Sequence, residues 1–406
     1  MTLTRLGDVV TVKSGFAFKS ADWLDVGVPV IKIANVKDGW VTLDGCSFVS
    51  EAVAHSARVF ELTKGDVLIS MTGHIGQVAK VRDEGRMLLN QRVGRFSIKN
   101  RDRIDDEYLF QWLRLPEVRA VFEAHAYGAA QPNISPSLIE QQAIPLPPLP
   151  IQQRIASILA TYDDLIENNT RRIAILEEMA RRIYEEWFVR FRFPGHEGVR
   201  MVETELGLVP EGWSVQGLYD VADLTYGFPF KSNLFKETGE GLGVIRIRDI
   251  RNDYTATRTT EYVDLKYRVT DGDILVGMDG AFHMGRWAGG VAWLNQRVVR
   301  FRPKSRIPRS WLFWVTEEPI KTLEATIVGT TVAHLSARDL KEMRLLVPSE
   351  AALEAAGSVL EPMSDLELTL KKKNAVLRVT RDLLLPKLIS GELDVSVAPD
   401  PEAVAA

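Results

Sequence analysis

One eight-residue phrase occurs twice in this chain with seven of its eight residues identical, as LNQRVGRF at residues 89–96 and as LNQRVVRF at residues 294–301. Three other phrases return in the same order: GFAFKS at 15–20 as GFPFKS at 227–232, VIKI at 30–33 as VIRI at 244–247, and GDVL at 65–68 as GDIL at 272–275. These intervals of about 205 to 214 residues far exceed a solenoid repeat, so each copy should be a unit the size of a domain. We infer a tandem duplication that has since diverged.

The bulk composition is that of a globular protein. A chain of 406 residues, 46% hydrophobic and 26% charged, can bury more than one core. No apolar run approaches the roughly 18 residues of a membrane span, and residues 1–6 lack the apolar stretch of a signal peptide, so we expect a cytoplasmic location. The single cysteine, Cys46, excludes an internal disulfide. The net charge of −4 gives no global indication of nucleic-acid binding, which must therefore rest on local features.

The first copy alternates short β-rich runs with turn residues. We predict strands over residues 28–36 and 66–70, and two short helices over 108–115 and 116–126 that are broken at Pro116. The second copy should contain the same broken helix over 311–327, around Pro319.

Two long helices are predicted, one after each β-rich copy. Residues 152–192 contain neither proline nor glycine, and Ser349 is a suitable N-cap for the second helix, which Pro386 should kink or end. Steps of three and four, typical of a coiled coil, separate the predicted seam residues: Ile155, Ile158, Tyr162, Leu165, Asn169, Ile173, Leu176, Ala180, Ile183 and Trp187 in the first helix, and Leu353, Ala356, Leu360, Met363, Leu366, Leu370, Leu377 and Leu384 in the second.

Such long seams need a partner, and the duplication supplies one. We expect the helices to pair antiparallel, with the two β-rich domains at opposite ends of a rod of about 60 Å. The alternative is that each helix packs only on its own domain. Asn169 should fix the register of the pair, and Lys371–Lys373 should form a solvated face.

The predicted fold class is α+β, with two duplicated β-rich domains separated by two long helices that form an antiparallel coiled coil. The predicted boundaries are residues 1–148 for the first domain, 149–193 for the first helix, 194–348 for the second domain, 349–392 for the second helix and 393–406 for a disordered tail.

Motifs for catalysis are missing from the sequence. It contains no Gly-x-Gly-x-x-Gly, no Walker A and no Gly-x-Ser-x-Gly sequence. None of the six histidines forms a His-x-x-x-His pair for a metal ion. We therefore predict no catalytic residue and no metal site, and interpret the chain as a binding protein.

Several phrases, in this order and spacing, resemble the DNA-specificity subunit of Type I restriction–modification systems. They are GFAFKS, GDVLISMTGHIGQVA at 65–79, GAAQPNIS at 128–135, IPLPPLPIQQRIASIL at 144–159, RRIYEEWFVRF at 181–191, ELGLVPEGW at 205–213 and LLLPKLISGEL at 383–393. Together they extend over almost all of residues 1–397.

The resemblance implies that each β-rich domain is a target-recognition domain for one half of a split, gapped double-stranded DNA sequence. It also implies two methylation subunits docked on the pseudosymmetric scaffold, and two further subunits for translocation and cleavage. The partner subunits would use S-adenosylmethionine, ATP and Mg²⁺, whereas this chain would bind no cofactor and catalyse nothing.

Residues that are identical in both copies cannot by themselves distinguish two half-sites. We therefore expect structural roles or contacts with DNA phosphates for the shared residues Lys19, Asn90, Gln91 and Arg92 and their counterparts Lys231, Asn295, Gln296 and Arg297.

Base recognition is expected where the copies differ. The glycine-flanked loop 72–76, with Thr72 and His74, corresponds to a loop 279–285, with Asp279 and His283, that should be two residues longer. Arg246 and Arg248 should share one face of a strand. The remaining candidates are Lys32, Asn35 and Lys37 against Arg246, Arg248 and Arg251, and Gln131 and Asn133 against Thr331 and His334. The alternatives are ordinary β-turns, surface charges and surface histidines.

Two other functions compete with this interpretation. A fused restriction or methylation enzyme would need a cofactor or metal motif. A coiled-coil scaffold that binds only proteins would show no preference for a split, gapped DNA sequence.

Overall fold

The computed structural model describes residues 2–37, 39–126, 132–204, 207–326 and 333–395. The chain divides into two compact units. Unit 1 comprises residues 1–164 together with 377–406, and unit 2 comprises residues 165–376. Each unit therefore contains part of both long helices.

Unit 1 is built on two main sheets and several short helices. Its strands are β1 (Thr2–Arg5), β2 (Val10–Ser14), β3 (Val28–Ile31), β4 (Gly39–Trp40), β5 (Ser47–Val49), β6 (Glu61–Leu62), β7 (Val67–Ser70), β8 (Val78–Lys80), β9 (Met87–Leu89), β10 (Val93–Ile98) and β11 (Ala143–Leu146). Its short helices are α1 (Glu51–Ser56), α2 (Asp106–Leu113), α3 (Pro116–Ala124) and α4 (Pro136–Glu140). The sheet orders are β2-β10-β7-β8-β4 and β5-β3-β9-β6, and β1 pairs with β11.

The first long helix, α5 (Leu149–Tyr184), continues into a π-helical turn at Glu185–Val189. Unit 2 then has β12 (Met201–Thr204), β13 (Gly207–Pro210), β14 (Ser214–Gly217), β15 (Ala222–Tyr226), β16 (Leu242–Ile245), β17 (Arg258–Thr259), β18 (Arg268–Val269), β19 (Ile274–Gly277), β20 (Met284–Arg286), β21 (Ala292–Leu294), β22 (Val298–Pro303) and β23 (Arg344–Val347). Its helices are α6 (Leu218–Val221), α7 (Arg309–Thr326) and α8 (Ala337–Glu342), and the second long helix is α9 (Glu350–Ser390).

The sheet topology repeats between the units. Unit 2 has sheets in the orders β15-β22-β19-β20 and β17-β16-β21-β18, and β14 pairs with β23. Each of these strands takes the place of one in unit 1, and both units contain the same parallel pair, β3–β9 and β16–β21. The α+β class and the duplication predicted from the sequence are confirmed.

The two long helices pack antiparallel in each unit. In unit 2, the Asn169 amide donates to Asn374 Oδ1 at 2.9 Å, and Glu177, further along α5, lies close enough to Glu367, nearer the start of α9, for the Glu367 charge to raise its pKa. In unit 1, Arg381 donates to Asp163 at 2.6 Å. Partner positions therefore rise along one helix as they fall along the other, and the predicted register role of Asn169 fits its contact.

The helix pairs are more polar than the sequence predicted. Leu165 and Leu366, both assigned to the apolar seam, are exposed, whereas the polar Asp163, Glu367 and Asn374 are buried. The prediction failed because each of these buried groups has a polar partner: Asp163 pairs with Arg381, Glu367 with Arg286 and Asn374 with Asn169. The Asn374 amide, for example, donates to the backbone oxygen of Ile166 and to the Thr170 hydroxyl, each at 3.1 Å, and so needs no water.

The predicted solvated face at Lys371–Lys373 is also partly wrong. The Lys371 ammonium lies 3.0 Å from Glu367 and 3.5 Å from Asp253, and Glu367 also pairs with the buried Arg286 of β20. Lys371 therefore connects α9 to Asp253, and the Glu367–Arg286 pair holds α9 against the sheet of unit 2.

Three helix predictions at prolines had different outcomes. The break at Pro116 is confirmed, since Leu115 before it is extended, with ψ of 130°. The break at Pro319 is wrong, because α7 continues through it and forgoes only the hydrogen bond that proline cannot donate. Helix α9 likewise continues past Pro386 to Ser390, so this proline does not end it.

Two acidic residues on α5, the buried Asp163 and the half-buried Glu177, have opposite pKa shifts. Burial alone would raise the pKa of Asp163, but Arg114, Gln111 and Arg381 outweigh it and keep the pKa below its usual value. Burial and the neighbouring Glu367 carboxylate raise the pKa of Glu177.

We predict that Asp163→Asn and Glu177→Gln change stability in opposite directions. Asp163 contributes stability above its unfolded pKa of about 4, and loses it as the pH falls through the lower folded pKa. Asp163→Asn leaves two buried arginines without their carboxylate, so it should lower the free energy of unfolding at pH 7 by about 3 kcal/mol, and by less as the pH falls below about 4.

Glu177 has the opposite sign, because a raised folded pKa costs stability as the pH rises through it. Glu177→Gln should therefore raise the free energy of unfolding at pH 7, and should gain nothing near pH 4. Urea unfolding between pH 3 and 8 measures both variants, and each is the control for the other. Shifts of the same sign at pH 7 would contradict this account.

Candidate nucleic-acid interface

The repeated Asn-Gln-Arg sequence forms a tight turn in each unit, between β9 and β10 and between β21 and β22. The backbone N–H of Gln91 donates to Phe16 at 2.9 Å, and that of Gln296 donates to Phe228 at 2.9 Å. The repeated Gly-Phe sequence thus holds the turn. Glycine is required at its first position, since a Cβ on Gly227 would lie 1.8 Å from the Asn295 carbonyl oxygen.

Within this turn, the asparagine has a structural role and the next two residues are exposed. Asn90 is buried and its Oδ1 accepts from the backbone N–H of Arg92 at 3.2 Å. The exposed side chains of the two turns are those of Gln91, Arg92, Gln296 and Arg297.

Three backbone segments meet at this turn in each unit, and we call the arrangement the cradle. It comprises residues 71–73, 90–92 and 132–134 in unit 1, and residues 278–280, 295–297 and 333–335 in unit 2. In unit 1, Met71 donates to the Arg92 carbonyl at 3.0 Å and accepts from Ile134 at 2.9 Å, while Gly73 donates to Pro132 at 3.1 Å.

Unit 2 repeats all three hydrogen bonds. Met278 donates to the Arg297 carbonyl and accepts from Leu335, each at 2.8 Å, and Gly280 donates to Ala333 at 2.9 Å. The backbone hydrogen bonds of the cradle are therefore the same in the two units.

The side chains on this common backbone differ. In unit 1, the Thr72 hydroxyl donates to Asn133 Oδ1 at 2.9 Å, and Thr72 is only 8% exposed, so it braces Asn133 more than it faces solvent. In unit 2, Asp279 Oδ1 lies 2.5 Å from His334 Nδ1, and Asp279 Oδ2 lies 3.2 Å from Arg297 Nε. A neutral pair in one cradle thus corresponds, in the other, to a triad that contains the Asp279–Arg297 ion pair.

The hairpin loops beside the cradles differ in length, but not as predicted. The hydrogen bond from Ser70 N–H to Gln77 O encloses residues 71–76, and that from Gly277 N–H to His283 O encloses residues 278–282. The second loop is therefore one residue shorter, not two longer, because Gly285 belongs to β20.

The two loop histidines are not equivalent in position. His74 is exposed near the middle of its loop, whereas His283 is half-buried at the end of its loop. Burial and the nearby Arg251 lower the pKa of His283, so its imidazole is neutral near pH 7.

The predicted role of Asn35 in DNA contact is wrong. Its side chain is 1% exposed, accepts from the Lys32 N–H at 3.1 Å and donates to the carbonyls of Thr42 and Asp44. Asn35 is thus used to close a 3-10 turn at Ile33–Asn35, which also ends the predicted strand at Ile31.

The expected shared strand face of Arg246 and Arg248 is also wrong. Strand β16 ends at Ile245, and a 3-10 helix follows at Ile247–Asn252 because Asp249 accepts from the Arg246 N–H at 2.9 Å. The guanidinium of Arg246 lies over Phe235, 5.1 Å from the ring centroid, while Arg248 and Arg251 are exposed.

The other candidates vary in accessibility. The Lys32 ammonium donates to the Ser47 hydroxyl at 2.7 Å and lies over the Trp23 ring, so it is already engaged. Lys19, Lys37 and Lys231 are exposed. Gln131 and Thr331 lie outside the described residues.

Sequence reasoning identified Asn133 and His334 as candidates but missed that their segments, 132–134 and 333–335, pair with the loops at Thr72 and Asp279. Thr72 and Asn133 are 61 positions apart, so no local pattern indicates their contact. The only available signal was that both positions differ from their counterparts in the second copy.

Among the described residues, no group of three or more His, Cys, Asp or Glu side chains could hold a metal ion. No helix within those same ranges is both long and apolar enough to cross a bilayer.

Comparison with known proteins gives a consistent result. The sequence model of the family described as Type I restriction modification DNA specificity domain matches residues 1–178 and again 210–378. The chain is 24% identical over 376 residues to the Type I restriction enzyme MjaIX specificity subunit of Methanocaldococcus jannaschii, with 89% of this chain and 85% of that protein covered.

It is also 24% identical over 412 residues to the MjaVIII specificity subunit of the same organism, with 97% and 93% covered. Its fold is similar to that of the Type I restriction–modification S subunit of M. genitalium, with a TM-score of 0.59 at 16% identity and 95% of both chains covered.

We predict that Gly227→Ala displaces the Asn-Gln-Arg turn of unit 2. Because the added methyl group would overlap the Asn295 carbonyl, the free energy of unfolding should fall by about 1–3 kcal/mol. Gly198→Ala is the control, since a Cβ there meets open space, and it should change stability by less than about 0.5 kcal/mol. Urea unfolding of the two variants decides the matter, and equal stabilities would show that the turn adapts to the methyl group.

Proposed function

Since the chain belongs to the family of Type I restriction modification DNA specificity domains, we propose that each of its units recognises one half of a gapped double-stranded DNA target through its cradle. A specificity subunit has a non-catalytic role in a restriction–modification complex, where it acts together with other subunits and DNA. The finer proposal concerns which residues recognise bases and how the partners are held.

One observation carries this proposal. The two cradles share their backbone hydrogen bonds, and present a Thr72–Asn133 pair in unit 1 but an Asp279–His334 pair in unit 2. The shared hydrogen bonds would let both cradles approach DNA in the same orientation. The different donors and acceptors would let each cradle recognise a different base sequence. The exposed cations Lys19, Lys37 and Lys231 are available for phosphates.

The long helices support the proposal of two methylation subunits. On α5, Ile175 and Met179 lie four residues apart on one face and are 57% and 50% exposed. On the unit 1 part of α9, Val379 and Leu383 are likewise exposed. Exposed apolar residues on helices favour docking of another protein, and a duplicated chain can present such a surface to two copies of one partner. These partners would bring S-adenosylmethionine, and translocation and cleavage subunits would bring ATP and Mg²⁺.

We predict that the two cradles control separate halves of the target. Thr72→Ala with Asn133→Ala should relax base preference in one half only, and Asp279→Ala with His334→Ala should relax the other half only. Each lost base contact should cost about 1–3 kcal/mol of discrimination. The measurement is genome-wide mapping of methylated sites with the chain assembled with its methylation subunits.

Each pair of substitutions is the matched control for the other. If either pair weakened binding to all sequences equally, the cradles would position DNA without recognising bases. If the parent complex methylated no split, gapped sequence, the chain would instead be a scaffold for proteins alone.

We further predict that Ile175→Glu with Met179→Glu lowers the affinity for the methylation subunit by about tenfold or more, because a charge would be buried against an apolar partner. Val59→Glu is the control, since Val59 is 74% exposed and lies outside the long helices. Sedimentation of the purified subunits at several concentrations gives the affinities. Unchanged assembly of the α5 variant would rule out this face.

A further inference from the structure

The arginine that both cradles share has different surroundings in the two units. Arg297 Nε lies 3.2 Å from Asp279 Oδ2, and the other oxygen of that carboxylate lies 2.5 Å from His334 Nδ1. In unit 1, Thr72 occupies the position of Asp279, and the Arg92 side chain has no ion pair within the described ranges. Identical residues of the repeated phrase are thus held by a carboxylate in one unit only.

The backbone of the two arginines differs as well. Arg297 has φ of +71°, in the left-handed region, whereas Arg92 does not have a positive φ. A residue with a Cβ pays roughly 1–2 kcal/mol for this conformation, and such strain is concentrated at functional sites. Because the surrounding backbone hydrogen bonds are the same in both cradles, the strain is a local property of the Arg297 turn.

We propose that Arg297 recognises a guanine in the half-site of unit 2, with Asp279 and His334 as positioning residues, whereas Arg92 contacts a DNA phosphate. The inference rests on the proposed function, in which the cradles face DNA. From the sequence we expected that residues shared by both copies cannot distinguish half-sites. This proposal reverses that expectation, because the same arginine has different neighbouring side chains in the two units.

The geometry of the guanidinium supports this assignment. Asp279 engages Nε, which leaves the two terminal nitrogens for a pair of hydrogen bonds to O6 and N7 of guanine. The Arg297 side chain is 55% exposed, so these nitrogens are accessible. A side chain already fixed by a carboxylate loses less conformational freedom on binding, which favours a directional contact with a base.

An arginine without such a partner suits a different contact. Arg92 is exposed and its side chain can adjust to a phosphate of the DNA backbone. Such a contact depends more on the positive charge than on the orientation of the planar guanidinium group. The carboxylate of Asp279 would also repel a phosphate, which further favours a base edge as the target of Arg297.

The test compares Arg297→Lys with Arg92→Lys in the assembled methylation complex. Lysine keeps the charge but loses the planar fork. In selection from randomised duplexes, Arg297→Lys should reduce the preference for guanine at one position of one half-site on the order of 10- to 100-fold. The salt dependence of binding should stay nearly unchanged, because the number of cations is the same. Arg92→Lys should leave the base preferences of both half-sites unchanged.

A second comparison addresses the positioning residue. Asp279→Asn should reduce the same guanine preference, and Asp279→Glu should restore part of it, while the urea midpoint of both variants stays close to that of the parent. A purely structural role would shift the midpoint and weaken every sequence alike.

The inference is overturned if Arg297→Lys preserves the preference at every position, or if it weakens all sequences equally. A parent complex without any sequence preference would overturn the proposed function itself, so the two failures are distinguishable.

Discussion

The antiparallel pairing of the two long helices is the constraint on which the rest of the molecule depends. In unit 1, Asp163 on α5 binds Arg381 on α9 and Arg114, directly after α2, so one carboxylate joins both long helices to the recognition domain. The core of unit 1 is completed from α9 and the residues after it, by Leu385, Leu388, Ile389 and Val395. Neither a recognition domain nor a helix is therefore an independent structural unit.

The fold was largely predictable because its signals are periodic or repeated. The duplicated phrases fixed the number of units, and the long stretches without proline and glycine indicated α5 and α9. What could not be predicted depends on contacts distant in sequence. Asn374 and Glu367 look unsuitable for a buried seam until Asn169 and Arg286 are known to meet them. Pro116 and Pro319 have the same pattern around them, yet only the first breaks its helix.

The sequence predicted which residues belong to the candidate site, but not which of their side chains contact one another. Thr72, Asp279, Asn133 and His334 were all identified because the copies differ there, but the sequence did not pair them. Asn35 shows the opposite failure: it was chosen as a residue that differs between the copies, but it closes a turn in the same way as Asp249 does in unit 2. Divergence between repeats therefore marks candidates for specificity, and burial then separates structural residues from accessible ones.

Unit 1 is built from two segments that are far apart in the sequence, and this has a consequence for its synthesis. Its core requires residues beyond 377, whereas unit 2 is contained in residues 165–376. At a synthesis rate of about 10 residues per second, the start of unit 1 waits on the order of 20 seconds for its last helical segment. The unit whose synthesis begins first can therefore complete its core only after unit 2 has been synthesised, and until then part of its apolar surface has no partner within the chain.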